Sequence, residues 1–363
     1  MRIAFIGLPN SGKTTIFEAL RPPDSSPTRQ QQGAVRLHLA TVKVPDEQVE
    51  ALAALYDPKK STHAAIEFVD VEGTLFGAGV KSRGDQLMSA YQGIDALVHV
   101  VRAFESELAP HPAGSVDPGR DYADLTTELV LSDLQVVERR LERLQARRAK
   151  GDKAVEAEEI EILEHCAVLL GDGLPLRRHR FTEAQQARLR GFGLLSAKPQ
   201  VVVLNISEAL QQEDRGRAVT ATLQPVLAPP DHLCVLCGKL ELELQQLEPD
   251  DAALFMEELG ITRTARAALL QASLEALGLI TFYTVGEDEV KAWLLPAGAA
   301  ATKAAGTIHS DLERGFIRAE VVPCPELLRL GSLAEARKHA LLRMEGKEYV
   351  VADGDVITIR FNV

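Results

Sequence analysis

The sequence predicts an α/β fold built on a mostly parallel sheet, interrupted by an α-helical hairpin and followed by a smaller, mostly β unit. Three observations predict it. Short buried-strand patterns recur with loops and helices between them, as a parallel sheet requires. A proline-free, Leu-, Glu- and Arg-rich stretch from Asp121 to Leu170 breaks that alternation. From Leu279 onward the texture becomes strand-like. At 363 residues the chain is too long for one ordinary domain.

The first strand is Arg2 to Ile6. Gly7-Leu8-Pro9-Asn10-Ser11-Gly12-Lys13-Thr14 follows it at once, and Thr15 to Leu20 continues as a helix. G-x-x-x-x-G-K-[ST] between a strand and a helix is the phosphate-binding P-loop. Its glycines let backbone N–H groups turn inward around phosphates, at a helix N-terminus that adds positive potential. Asn10, Ser11, Gly12, Lys13, Thr14 and Thr15 are therefore the candidate phosphate-binding set. Lys13 would reach the β- and γ-phosphates as a catalytic cation, and the Thr14 hydroxyl would take a place on Mg²⁺.

Further strands place more ligands just past their C-terminal ends, where open α/β sheets bind them. Ala65 to Val69 leads into Asp70-Val71-Glu72-Gly73, a D-x-x-G. Asp70 would hold Mg²⁺ through water, and the Gly73 N–H would sense the γ-phosphate. Ala96 to Val101 precedes a loop with Pro110, Pro112, Gly114, Pro118 and Gly119. Val201 to Leu204 leads into Asn205-Ile206-Ser207-Glu208, and His232 to Leu236 into Cys237-Gly238-Lys239. Guanine-specific P-loop proteins usually carry N/T-K-x-D where this chain has Asn205 and Glu208. An Asn amide matches the N6/N7 edge of adenine. That leans to ATP, although Glu208 can also accept from guanine. Cys237 and Gly238 complete the candidate nucleotide-binding set.

In the helical stretch Val130, Leu134, Val137, Leu141 and Leu144 form one apolar stripe, and Ile160, Leu163, Ala167 and Leu170 a second. Lys150-Gly151-Asp152-Lys153 reads as the turn between them. Arg139, Arg140, Arg143, Arg147, Arg148 and Lys150 make its tip basic, either as a solvated face or as a contact for RNA or another partner. Beyond residue 278, Thr281 to Val285, Ala292 to Leu295, Tyr349 to Val351 and Val356 to Phe361 are strand-like, with Asp353-Gly354 as a hairpin turn between the last two. Trp293 and Phe316 read as core residues. Lys291, Lys303, Arg314, Arg318 and Lys347 read equally as an RNA-facing patch or as ordinary solvated cations. The expected division is 1–122 with 199–277 as a discontinuous nucleotide domain, 123–198 as the helical insertion, and 278–363 as the C-terminal domain.

Composition bounds the function. With 46% apolar and 25% charged residues the chain is of globular class. No apolar run approaches the ~20 residues that span a bilayer, and the N-terminus lacks a signal-peptide pattern, so a cytoplasmic protein without membrane contact is expected. A net charge of −12 opposes non-specific DNA or RNA binding by the whole surface. Cys166, Cys234, Cys237 and Cys324 are too few and scattered for a disulfide framework. Cys234 and Cys237 lie on a strand pattern, which points them to opposite faces and makes them poor joint metal ligands.

Together, the P-loop, the N-x-x-E at Asn205, the helical insertion and the C-terminal block resemble the Obg-like ATPase family (YchF). The C-terminal match is especially close over Ala305 to Glu320, Glu345 to Asp355 and Phe361-Asn362-Val363. The resemblance runs nearly end to end. It implies a translation-factor-class P-loop domain, a coiled-coil insertion and a C-terminal TGS domain of β-grasp fold. It further implies slow ATP hydrolysis, ATP preferred over GTP, Mg²⁺ with K⁺ as a second candidate ion, and ribosome or ribosomal-RNA association through the insertion and the TGS domain, with a monomer favoured. In the family a histidine in a mobile loop is thought to position water, and His111 aligns with it. On the sequence alone His111, between Pro110 and Pro112, is an exposed loop histidine.

Three departures qualify the resemblance. Ala34 stands where the first-switch Thr of the family would reach Mg²⁺, and Thr74 stands after D-x-x-G, where the family, which lacks the water-orienting Gln of many GTPases, usually has an apolar residue. The second switch also carries Lys81-Ser82-Arg83-Gly84-Asp85 in place of a more Gly-rich run. Three functions are expected in order: a slow ribosome-associated ATPase, a nucleotide-binding interaction protein with little turnover, and an Obg-related GTPase.

Overall fold

The computed structural model describes residues 1–22, 28–32, 35–73, 90–91, 93–150, 157–211, 220–221, 223, 227, 231–261 and 263–362. Ala34, Thr74 and the stretch Lys81 to Asp85 lie outside the described residues, as does Gly151 to Lys153 of the expected turn.

In chain order the main elements are β1 (Arg2–Ile6), α1 (Lys13–Leu20), β2 (Thr28–Gln32), β3 (Val35–Lys43), α2 (Glu47–Tyr56), β4 (Lys60–Thr62), β5 (Ala65–Val71) and β6 (Ala96–Ala103). Two long helices follow, α3 (Pro118–Ala149) and α4 (Ala157–Gly171), then α5 (Glu183–Leu189), β7 (Gln200–Ile206) and β8 (His232–Leu236). Helices α6 (Gly238–Gln245), α7 (Pro249–Glu258) and α8 (Ala265–Ala276) precede β9 (Leu279–Thr284), β10 (Glu289–Pro296) and α9 (Ala301–Ile308). The chain ends through β11 (Phe316–Pro323), α10 (Cys324–Leu330), α11 (Leu333–Lys338), β12 (Arg343–Glu345) and β13 (Asp355–Phe361).

The chain divides into two compact units, Met1–Val42 with Glu67–Ala276 and Lys43–Ile66 with Leu277–Val363. In the first, a seven-stranded sheet has the order β2-β3-β5-β1-β6-β7-β8. The run from β5 to β8 is parallel, and β2 pairs antiparallel with β3 at its edge. β6 and β7 are buried along their whole length, the continuous apolar runs of a sheet covered on both faces. The crossover order leaves the C-terminal ends of β1, β5, β6 and β7 side by side.

The helical hairpin forms as the two stripes require. Val130, Val137, Leu141, Leu144, Ile160, Leu163 and Leu170 are buried in one cluster, with Leu134 and Ala167 packed against it. Helix α3 starts at Pro118, earlier than residue 123, because the Asp117 carboxylate accepts from Arg120 N and Pro118 occupies the first turn. Asp133, fully buried on α3, accepts from Leu195 N at 2.9 Å and Ser196 N at 2.7 Å and so ties the helix to the turn that precedes β7. At the basic tip Arg140 pairs with Glu159.

In the second unit a six-stranded sheet runs β12-β11-β13-β9-β10-β4. Its core includes Phe282, Leu295, Ala301, Ala304, Phe316 and Val321, with Trp293 packed against it. Lys291 lies over the Trp293 ring, 3.7 Å from its centroid, and Arg314 pairs with Asp311. The expected division placed residues 43–66 with the nucleotide domain, whereas they cluster here. β4 pairs with the edge of β10, and α2 buries Val49 and Leu52 completely. Tyr349 to Val351 is not a strand, so the Asp353-Gly354 hairpin does not form. The Asp355 carboxylate accepts from Ala352 N and Tyr349 Oη, which fixes that segment as a loop, and β13 pairs with β11 and β9.

Among the described residues no helix is long and apolar enough to cross a membrane. All four cysteines are buried and free. Burial pushes the Cys166 and Cys234 thiols up to about 11, and the Cys237 thiol also upward. Cys234 lies within β8 and Cys237 is the N-cap of α6, so the C-x-x-C spans a strand end and a helix start.

Candidate nucleotide site

Two glycines shape the loop between β1 and α1. A Cβ on Gly7 would lie 2.5 Å from Val100 O, so only glycine fits there. Gly12 has φ 91°, and a Cβ on it would collide with Asn205 Nδ2. Asn10 takes the left-handed region at φ 61°, a conformation its short amide side chain tolerates. Helix α1 starts at Gly12 with no side-chain cap and no acidic residue in its first turn, so its leading N–H groups remain available to an anion. The Ser11 hydroxyl is buried without a partner among the described residues.

Lys13 Nζ donates to Gly7 O at 2.9 Å and Leu8 O at 3.1 Å, which stretches the ammonium across the loop and leaves it a third donor. Burial lowers its pKa, and the nearby Asp70 carboxylate opposes that shift. Thr14 Oγ1 donates to Asp70 Oδ2 at 3.0 Å. Burial raises the Asp70 pKa, against the Thr14 hydrogen bond and the charges of Lys13 and His38. P-loop and D-x-x-G thus meet through one hydrogen bond. No group of three or more His, Cys, Asp or Glu side chains able to hold a metal occurs among the described residues. Mg²⁺ does not require one, because it takes one or two protein oxygens and completes its shell with phosphate and water. The hard oxygens of Thr14 and Asp70 fit that pattern. Gly73 follows in an exposed turn at φ 108°.

Asn205 is placed differently from the sequence reading. Its Nδ2 donates to Ser11 O at 3.0 Å, and its Oδ1 accepts from Gly238 N at 3.0 Å. The side chain is buried and joins the P-loop to the start of α6. A two-bond match to an adenine edge is therefore not what this amide does; one N–H is left for a ligand. Glu208 pairs with Lys239 at 2.7 Å on the surface. Both border a cavity of about 500 Å³ whose lining includes Gly12, Thr15, Phe104, Asn205, Glu208 and Lys239.

Arg102 and Phe104 of this region escaped the sequence reading. Arg102, 1% exposed at the end of β6, donates to Asn10 O and Phe104 O and lies 4.5 Å from the Phe104 ring centroid. A charged residue closing an apolar strand at the ligand-binding end of the sheet was the available signal.

His111 is not an exposed loop histidine. Its side chain is 2% exposed, with Nε2 2.7 Å from Asp121 Oδ2, while Nδ1 accepts from Ala113 N at 3.1 Å. Arg120 holds the other Asp121 oxygen. Both ring nitrogens are thus engaged, although Asn10 Nδ2 reaches Pro110 O at 3.3 Å and brings this loop beside the P-loop.

Comparison with known proteins agrees with this architecture. Residues 2–136 match a family described as 50S ribosome-binding GTPase, and residues 279–362 match the YchF-GTPase C-terminal family, described as a protein of unknown function (DUF933). A protein named Ribosome-binding ATPase YchF from Bacillus subtilis (strain 168) is 39% identical over 360 residues, 99% of this chain and 98% of that one. One of the same name from Escherichia coli O157:H7 is 32% identical, covering 100% of this chain and 99% of its own length. Among solved structures, the Schizosaccharomyces pombe YchF GTPase superposes with a TM-score of 0.83 at 28% identity, over 99% of this chain and 97% of that one. With likeness along its whole length and a P-loop site at the sheet's C-terminal edge, the chain belongs to the YchF family.

Proposed function

We propose that this chain binds ATP with Mg²⁺ and hydrolyses it slowly to ADP and phosphate in association with the ribosome, as a cytoplasmic monomer. The observation that carries the reading is the uncapped N-terminus of α1, with Lys13 across it and Thr14 joined to Asp70. The α1 N–H groups and Lys13 bind the β- and γ-phosphates, and the Gly73 N–H faces the terminal one. Thr14 and Asp70 hold Mg²⁺, which neutralises charge developing on the phosphates when bound. K⁺ belongs to the same proposal, as an ion whose effect is read by comparing turnover in K⁺ and Na⁺.

Phe104 offers a face for the base. The remaining Asn205 N–H meets a purine N7, which adenine and guanine share, so the choice of base falls to Glu208 once Lys239 swings aside. Relatives named ATPases support ATP, while the fission-yeast relative carries the name GTPase. The names of the Bacillus and Escherichia relatives support ribosome binding, and contact through the helical insertion and a TGS-type C-terminal domain belongs to the same proposal. His111 would orient the attacking water after its loop releases Asp121.

That last requirement favours a second reading. With both His111 nitrogens engaged, a nucleotide-dependent interaction protein with little turnover is the alternative. Equilibrium binding of ATP and GTP, with Lys13→Ala as control, tests the first step. ATP should bind at least about tenfold more tightly than GTP, and Lys13→Ala should lose about tenfold or more, the worth of one charge-assisted contact. Equal affinities would support the GTPase reading. Single-turnover hydrolysis with and without ribosomes then separates slow ATPase from binding protein.

A further inference from the structure

The geometry points to Arg36 and His38 as the residues by which this chain distinguishes a nucleoside triphosphate from a diphosphate: they hold the Glu72 carboxylate and exchange it for the terminal phosphate. The inference rests on the reading that a nucleotide places its phosphates on the P-loop, and it adds what senses the last of them.

Glu72 stands between Asp70 and Gly73. Glu72 follows directly on the end of β5, two residues after Asp70, which meets Thr14. Its backbone N–H donates to Arg36 O at 2.9 Å, which carries the pairing of β3 and β5 as far as the D-x-x-G turn. Its carboxylate is held from β3 twice, Oε1 by His38 Nε2 at 3.2 Å and Oε2 by Arg36 Nη1 at 3.7 Å. Arg36 and His38 are themselves two apart and share a face, opposite Gln31 and Arg29 of β2. Arg29, Gln31, Arg36, His38 and Glu72 line an open cavity of about 430 Å³. His38 is near enough to Asp70 to act on its charge. A cationic group therefore borders the metal-side end of the site, and a single carboxylate occupies it.

The contacts are built for exchange. The Arg36 side chain is 73% exposed and its pair with Glu72 is long, so breaking it costs little. A terminal phosphate offers three charged oxygens, a better partner for a guanidinium and an imidazole N–H than one half-exposed carboxylate. A diphosphate lacks that group and leaves the contacts to Glu72 in place. Ala34, where a first-switch Thr was expected, carries no hydroxyl for the same task.

Equilibrium binding of ADP and of the non-hydrolysable analogue AMP-PNP, both with Mg²⁺, tests this. Arg36→Ala and His38→Ala should each weaken AMP-PNP about fivefold or more, with ADP affinity within about twofold of the parent. Glu72→Gln, which removes the competing charge and keeps the shape, should shift the ratio the other way. A ratio unchanged in all three variants overturns the proposal, and so does a parallel loss of both ligands with a lowered Tm, which would make the cluster structural. If the parent chain binds neither ligand, the nucleotide reading fails first and takes this one with it; retained ADP binding distinguishes the two failures.

Discussion

His99 shows how far one side chain can depart from its solution behaviour here. It lies 1% exposed in β6, its Nδ1 2.9 Å from Gln200 Nε2, and it stacks on Tyr122 with 5.3 Å between ring centroids. Burial pushes its pKa down to about 3, with the charges of Arg177 and Lys13 acting in the same direction. A histidine held neutral in the fold takes up its proton only on unfolding, so the unfolded chain binds more protons between about pH 6.5 and 3. Stability should fall with acidification through that window, by about 1.4 kcal/mol per pH unit from this group. Asp133 acts oppositely, because burial pushes its carboxyl up to about 6 and the fold keeps a proton that the unfolded chain gives up. The checkable quantity is therefore a difference. Denaturant unfolding at pH 7 and pH 5 should show a smaller drop for His99→Asn than for the parent, and parallel curves would refute the assignment.

At the scale of elements, α2 depends on one carboxylate with two duties. Asp46 Oδ1 accepts from Gln48 N and Val49 N as the N-cap, and Oδ2 accepts from Tyr283 Oη of β9 at 2.8 Å. Asp46→Ala should destabilise its unit by about 2 kcal/mol, combining a lost cap with an orphaned phenol. Asp46→Asn should recover a good part, since its amide oxygen still caps the helix. Urea midpoints of the three chains decide it, and an unshifted Asp46→Ala would show that the cap is dispensable.

For the whole molecule, the division of the chain matters more than the count of elements. The C-terminal unit takes α2 and β4 from residues 43–66. Val49 and Leu52 are fully buried there, worth about 3–6 kcal/mol together, a large share of the ~5–15 kcal/mol that holds a typical domain. A fragment of residues 277–363 alone should therefore fail to fold cooperatively, and one with residues 43–66 joined to it by a linker should melt as a unit. Thermal circular dichroism distinguishes them, and a cooperative melt of the short fragment would remove residues 43–66 from the folding unit.

The sequence by itself determined the parallel sheet, the P-loop and the helical hairpin, because each is written in local spacing. Glycines sit where the backbone must approach closely, apolar residues recur at three and four, and strands run directly into ligand-bearing turns. The family was legible for the same reason. Partners far apart in the chain were not legible. Asn205 was read as pairing with a base edge through both amide groups, yet its oxygen and one of its N–H groups are taken by Gly238 N and Ser11 O. His111 was read as solvated, yet Asp121, ten residues on, and its own loop enclose it. Glu72 carried no signal until β3 set Arg36 and His38 against it. A side chain's role in a polar site depends on which donors and acceptors already occupy it, and the tertiary structure alone decided that.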